Sequence, residues 1–579
     1  MAGTDGSIPA GRSMRETIPM HRSPPRTIAA LSLALATAAW APAWAETAAA
    51  PPAAPPVAAP AVGAPADPAI PPAAAAPAAP AVTAERAQAI AATLDEGLTR
   101  WLSLDSEESP VEATGDVAVL AAGDHYEVVL PSLAIVDDDS SRWEIGVIRL
   151  TLKPRGESAF DVSLVLPSTM IIVGEGETVA TLNIGRQHWN GIWIPLYEQF
   201  IELDAGLNDV TLAAANGDWR MNTAGLGFQV HLTGEGPDTW SGPGSVTLSG
   251  LQVASGQAEN SKDKPRLSLG QASVEIDYRR LNLAKLERLG LALHDEVAGG
   301  GKLDPATVRA DMEGLAGGGS VRIAVDSLDA VEPEAGGRIG LDRLVVDARI
   351  DALDTPSANA SLAIVQDGLL LQPSLEPAGL IPSAVEIRLS AGSLPTEALR
   401  TALASVLATG GHAEGGDGHK GDDRKATAHR WKAMGQASDT LLTALGQAGT
   451  TLGIDRLAVA APDGEAVAKG QIRATTTEPW HGTADITVSL RGLDEAVKAL
   501  QAPPGKKADL QAMSQRLMLT RLQAIGQMGK DDAGRNVRVY RLELTGDGSF
   551  LVNGADLVTL MGMGGEGVPP GAHGGMPRP

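Results

Sequence analysis

No cysteine occurs anywhere in the 579 residues. That excludes disulfides, thiolate-ligated metals, iron–sulfur clusters and thiol nucleophiles together. Aromatic residues are almost as scarce, at 3%, so a core has to be assembled from Val, Leu, Ile and Ala, with few large anchors for binding hot spots. Positive charge is short as well: 46 Lys and Arg against 70 Asp and Glu leave a formal charge of −24. So acidic a chain suits neither nucleic acid nor a general attraction to anionic lipid, since both need clustered cations.

Catalytic signatures are missing too. There is no G-x-S-x-G elbow, Walker A loop, H-E-x-x-H helix or dinucleotide fingerprint. The expectation is a protein that is not an enzyme and carries no cofactor and no metal. His412, Asp417, His419 and Asp422, with His429 nearby, have metal-ligand types, but they sit in a Gly-rich stretch with no rigid element to fix a geometry, and read as a solvated loop. Asp137-Asp138-Asp139 lacks the EF-hand spacing and reads as a hairpin tip. Trp189 and Trp193 share one face of a strand. They could form a sugar- or lipid-facing platform, but core is the better reading, because Trp is highly buried on average.

What the chain does have begins with an address. Arg22 and Arg26 precede an apolar run over residues 28–39, and Ala43-Trp44-Ala45 offers small residues for cleavage. This pattern describes a secretory signal peptide over 1–45, with an uncleaved anchor as the alternative. Export of a cysteine-free chain points to the periplasm, and no later run is long enough to span a membrane. Residues 46–82 are nearly all Ala and Pro and read as a disordered spacer.

From Thr83, a plausible N-cap, Ile90, Leu94, Leu98 and Leu102 mark a helix. Short strands broken by turns follow up to residue 255, and that region also holds Trp143, Trp189, Trp193, Trp219 and Trp240. A helix plus a Trp-containing β domain is therefore expected over 83–255. A second, α+β domain is expected over 266–560, with a disordered insert at 410–428 and a disordered tail at 562–579.

One pattern recurs in this second region: three apolar residues at alternate positions, a two-residue gap, then leucine. It reads Val274-Ile276-Tyr278 then Leu281, Val321-Ile323-Val325 then Leu328, and Val346-Ala348-Ile350 then Leu353. It returns as Ile387-Leu389-Ala391 then Leu394, and Ile486-Val488-Leu490 then Leu493. Period two puts these side chains on one face of a strand, with Glu275, Arg322, Asp347, Arg388 and Asp485 on the other. Leu281, Leu394 and Leu493 precede helix-start signals (Asn282, Pro395, Asp494). The leucine thus reads as the residue that seats a helix on the sheet. Residues 507–528 read as an amphipathic helix with Leu510, Met513, Leu517, Ile525 and Met528 along its stripe.

The strand-then-helix units, with the terminal run Tyr540-Arg541-Leu542-Glu543-Leu544 and Gly548-Ser549-Phe550-Leu551-Val552-Asn553-Gly554, resemble the uncharacterised YdgA-like periplasmic proteins and, more distantly, AsmA-like envelope proteins. The resemblance implies an elongated, β-rich, lipid-handling envelope protein with no assigned reaction.

The fold expected is α+β, with large, mainly antiparallel twisted sheets and strand-to-helix units that pack helices on one face. The candidate site is the apolar face carrying Val274, Ile276, Val321, Ile323, Val325, Ile387, Leu389, Ile486 and Val488. Open, that face would bind a lipid, another amphiphile or an envelope protein partner. Covered by helices at 282–293, 395–407 and 494–500, it would belong to a scaffold or assembly factor with no ligand.

Overall fold

A computed structural model describes residues 81–560, apart from 103–108, 137–140, 257–265, 300–303, 333–335, 374–381, 411–439, 477–480, 500–509 and 532. The chain divides by its contacts into Met1–Trp40 and Ala41–Pro579, and all described residues belong to the second unit. The signal segment, the spacer as far as residue 80, the three aspartates, the histidine cluster and the tail lie outside the described residues, and Val82 at the end of the expected spacer packs against the α1 core instead.

The elements in chain order are α1 (Ala84–Trp101), β1 (Val111–Thr114), β2 (Ala118–Ala122), β3 (His125–Val136), β4 (Arg142–Pro154), β5 (Phe160–Val165), β6 (Thr169–Gly174), β7 (Glu177–Ile194), β8 (Gln199–Ala214) and β9 (Trp219–His231). Next come β10 (Thr233–Gly236), β11 (Thr239–Ser255), β12 (Arg266–Asn282), α2 (Leu283–Gly299), α3 (Pro305–Met312), β13 (Gly318–Glu332), β14 (Gly337–Asp351), β15 (Ser357–Asp367), β16 (Leu370–Gln372), β17 (Ala384–Pro395) and α4 (Thr396–Gly410). After a helical segment at 440–448, the chain continues as β18 (Thr451–Ala461), β19 (Gly464–Ala474), β20 (Gly482–Arg491), α5 (Leu493–Ala499), α6 (Leu510–Ile525), β21 (Gln527–Lys530), β22 (Asn536–Leu544), β23 (Phe550–Val552), β24 (Ala555–Asp556) and α7 (Leu557–Leu560).

Every strand pairing is antiparallel, and the long strands follow one another in chain order. β1 and β2 lie end to end along β3, which pairs with β4. β5 and β6 lie end to end between β4 and β7. From there the ladder runs β7, β8, β9, β11, β12, β13, β14, β15, β17, β18, β19, β20, β22. The two regions expected on either side of residues 256–265 share this ladder, since β11 pairs with β12 from Thr239↔Asn282 to Ala254↔Arg266.

The two-residue gap of the recurring pattern is a backbone kink. The residue before each leucine is left-handed: Arg280, Ser327, Ala352, Ser393 and Gly492 have φ of 54°, 58°, 63°, 57° and 82°. A left-handed residue breaks the period-two alternation, so an apolar residue three positions on returns to the same face. At the first copy, Arg279 and Arg280 lie where β11 has Ser241 alone, a β-bulge. Asp209 before Val210 and Gly250 before Leu251 repeat the device, with φ of 55° and 62°.

The short strands expected up to residue 255 prove longer: β7 and β8 run unbroken over Glu177–Ile194 and Gln199–Ala214, β8 through its kink at Asp209. Gly185 and Asp209 face one another in mid-ladder, and a Cβ on Gly185 would stand 2.9 Å from that of Asp209.

The leucine is a helix-seating residue in three copies. Asn282 caps α2 by accepting from Lys285 N at 2.9 Å, α4 begins at Thr396, and α5 begins at Leu493. After Leu328 the strand simply continues, and Leu353 leads into a turn.

At the N-terminal end, Thr83 caps α1 by accepting from Arg86 N at 3.2 Å. Ala87 and Ile90 of α1 pack on Tyr126, Val128, Leu152, Phe160 and Val162. In the middle, α2, α3 and α4 pack on one another through Leu289, Val308 and Ala404. At the C-terminal end, α5 and α6 bring Leu493, Val497, Leu519, Leu522 and Ile525 onto Val488, Leu490, Tyr540 and Leu542. The stripe expected for α6 is therefore corrected. Ile525 points inward as expected, together with Leu519 and Leu522, whereas Leu517 is exposed and Met528 belongs to β21; the side chains of Leu510 and Met513 lie outside those described. A clean 3.6-residue period misassigned the face because this helix is apolar on two sides.

Candidate functional site: the apolar face of the sheet

The register places all nine candidate residues in three adjacent rows that cross the strands. The first row runs Trp189–Ala205–Phe228–Val246–Val274–Ile323–Val346–Ile364–Ile387–Leu457–Ala468–Val488–Tyr540, one residue per strand from β7 to β22. The second includes Ile276, Val321, Ala348, Leu362, Leu389, Ile454, Gly470, Ile486 and Leu542. Back from Ile276 it continues through Gly244, Val230, Leu203, Gly191, Val162 and Leu152 to Tyr126. The third holds Val325 beside Ala272 and Leu344, and then Gln366, the one polar residue between β12 and β20 in these rows, whose Nε2 donates to Ser383 O at 3.3 Å.

Residues beyond the kinks widen the face in a way the recurring pattern did not reveal. Leu251, Leu269, Leu328 and Leu341 form a further row, and Val253, Leu267, Ala330, Ile339 and Leu371 another. The sequence signal for them is the apolar residue three positions beyond an alternating run. It was visible at Leu328, a copy with no helix-start signal after it, but was not read as part of the face. On the other side of the kinks, Tyr278 joins Gly242 and Gly319, and burial pushes its phenol up to about 12.

The opposite face is polar and laced with ion pairs. Arg322 bridges Asp347 at 3.0 Å, Arg456 bridges Glu386 at 2.7 Å and Arg541 bridges Asp485 at 2.9 Å. Each exposed pair adds little stability, about 0.2–1 kcal/mol. Together they fix which face meets water, because a one-residue slip would bury charge.

Cover is unequal along the apolar rows. α1 closes them over β3–β5, and α5–α6 close them over β20 and β22. The α5–α6 cover is pinned by Asp494, which accepts from Gln523 at 2.8 Å and Arg538 at 3.1 Å, and by Tyr540 Oη donating to Leu522 O at 2.7 Å. The Gln523 hydrogen bond and the Arg538 guanidinium hold the Asp494 carboxyl below its ordinary range.

In β7–β9 the face is filled by its own side chains. Trp189 stacks on Phe228 with ring centroids 5.8 Å apart, and Phe228 is 3% exposed. Over β12–β19 the described helices leave the rows open. Ile323 is 42% exposed, and Leu452 and Leu457 are exposed as well. The helices expected at 282–293 and 395–407 do not lie over these three rows: Leu283 of α2 packs at their margin with Ile194, Tyr197, Leu281 and Tyr278, and Leu289 meets Ala404 across α3, while the third helix does lie on the face. Trp189 and Trp193, weighed as a platform, are packed, Trp193 against Phe160 at 6.2 Å between centroids.

No described helix is long and apolar enough to cross a membrane. No protein-family model, no curated protein and no solved structure matches the chain, so the functional reading rests on its own geometry.

Proposed function

We propose that the chain is an exported cell-envelope protein that binds the apolar part of a lipid or similar amphiphile along the open stretch of its sheet face. It catalyses no reaction and works in the periplasm. The observation that carries this reading is the unequal cover. The same apolar rows are sealed at both ends, and no described helix lies over them at β12–β19, where Ile323 is 42% exposed. A contiguous apolar surface of this kind is costly in water unless something occupies it.

The dimensions support an acyl chain. Strands lie about 4.8 Å apart, so the seven strands β12–β15 and β17–β19 give a lane of roughly 30 Å. A bilayer core of about 30 Å holds two opposed acyl layers, so one chain needs about half that length. A cysteine-free chain with a signal-like N-terminus and a resemblance to YdgA-like and AsmA-like proteins fits the same setting.

Mass spectrometry of organic extracts from the purified full-length protein tests the reading. Acyl lipid close to one equivalent is the expected result. A clean blank from protein purified without detergent refutes it and favours a ligand-free scaffold.

A further inference from the structure

A corner of the described molecule that departs from its acidic character lies on the outer side of α6. Residues 510–530 contain Arg516, Arg521 and Lys530 and no Asp or Glu, in a chain whose formal charge is −24. Leu517 and Met518 on α6 are 56% and 64% exposed, and Met528 on β21 is 60% exposed. Leu517 and Arg521 are four residues apart, and Met518 and Arg521 three, so the three side chains share one face of the helix. Arg521 and Lys530 are exposed and make no ion pair with a described residue.

Two described carboxylates of the neighbouring elements are engaged elsewhere. Asp494 is held by Gln523 and Arg538, and Asp531 pairs with Arg535 at 2.6 Å. The inward side of the same helix already has its apolar partner in Tyr540 and Leu542. The outer Leu and Met side chains are therefore surplus to folding.

We infer that this corner docks on the surface of an anionic phospholipid bilayer, with Leu517, Met518 and Met528 entering the headgroup boundary and Arg521 and Lys530 meeting lipid phosphates. Exposed apolar residues interleaved with unpaired cations are what an interfacial helix needs. The charge of the rest of the chain sharpens the docking, because an acidic body is repelled from the same surface and leaves one orientation. The inference stands whether or not the sheet face carries lipid.

Flotation of the full chain with vesicles provides the test. Wild type is expected to float with phosphatidylglycerol/phosphatidylethanolamine vesicles at low salt and to stay behind with pure phosphatidylcholine. Removal of two surface cations by Arg521→Glu with Lys530→Glu is expected to weaken partitioning by roughly 20-fold or more, at about fivefold per cation. The pair Leu517→Ser with Met518→Ser is expected to weaken it comparably. Both variants alter exposed side chains only, and a wild-type unfolding curve confirms that each is folded. Partitioning unchanged in both variants overturns the inference, as does failure of wild type to float. A dimer of the wild type that Leu517→Ser with Met518→Ser dissociates, without vesicle binding, overturns it in favour of a second copy on the patch.

Discussion

The same rows of residues cross β7–β9 and β12–β19, yet one stretch is filled and the other is open. In the first, Phe228 stacks on Trp189, and Leu203, Ala205 and Leu207 of β8 are all buried. In the second, Val274, Val346, Ile364 and Ile387 are half-buried and Ile323 is exposed. Polarity does not separate the two, since both faces are apolar. Side-chain volume does. Strands β3–β9 contribute Tyr126, Trp143, Phe160, Trp189, Trp193, Phe200 and Phe228, whereas β13–β20 contribute no aromatic residue and place Ala348, Ala468 and Gly470 in the same rows. Large rings fill the space above a sheet; Val, Ala and Gly coat the sheet and leave that space to something else.

The largest test of this contrast is a pair of truncations. Phe228→Ala should cost about 3–5 kcal/mol, as removal of a buried ring leaves a cavity. Ile323→Ala should cost no more than about 1 kcal/mol, because much of its side chain is already in water. Urea unfolding measures both, and an Ile323 penalty near that of Phe228 would show the middle stretch closed in solution.

A reciprocal pair of enlargements comes next. Val162→Phe, beneath α1, should overpack and cost about 1–3 kcal/mol, whereas Val346→Phe should be accommodated within about 0.5 kcal/mol. If the open stretch holds acyl chain, Val346→Phe should also lower the lipid recovered in organic extracts. Equal penalties for the two variants would erase the distinction between the stretches.

The smallest test addresses what the two stretches share, the kinks. Ala352 has φ 63°, a conformation that disfavours a Cβ by about 1–2 kcal/mol. Ala352→Gly should therefore stabilise the fold by about 0.5–1 kcal/mol in thermal or urea unfolding. In an ordinary extended strand the same change would destabilise by a similar amount, so the sign of the effect decides.

Much of the sheet was legible in the residues, and the illegible parts have physical causes. Period two put the nine candidate residues on strand faces that the register joins into rows, because a strand with one wet face admits a single register. Thr83 and Asn282 were readable as caps because a helix start exposes donors that short polar side chains satisfy locally. The lengths of β7 and β8 were misread as short strands broken by turns, since a glycine such as Gly185 or a kinked aspartate such as Asp209 looks like a turn until its partner across the ladder is known. The stripe of α6 was misread for a related reason: apolar residues on two sides of a helix do not say which side finds a partner.

The sequence by itself determined that this chain would build an acidic, disulfide-free, β-rich protein with one apolar sheet face. Those properties follow from composition and from alternation along single strands, both local. The tertiary structure alone decided that the five copies of the pattern join into continuous rows, and that its leucines follow left-handed kinks. It also decided that helices close the face at its two ends and leave the middle open. Cover depends on where a helix lands relative to strands far away in the chain, and no local period encodes that distance.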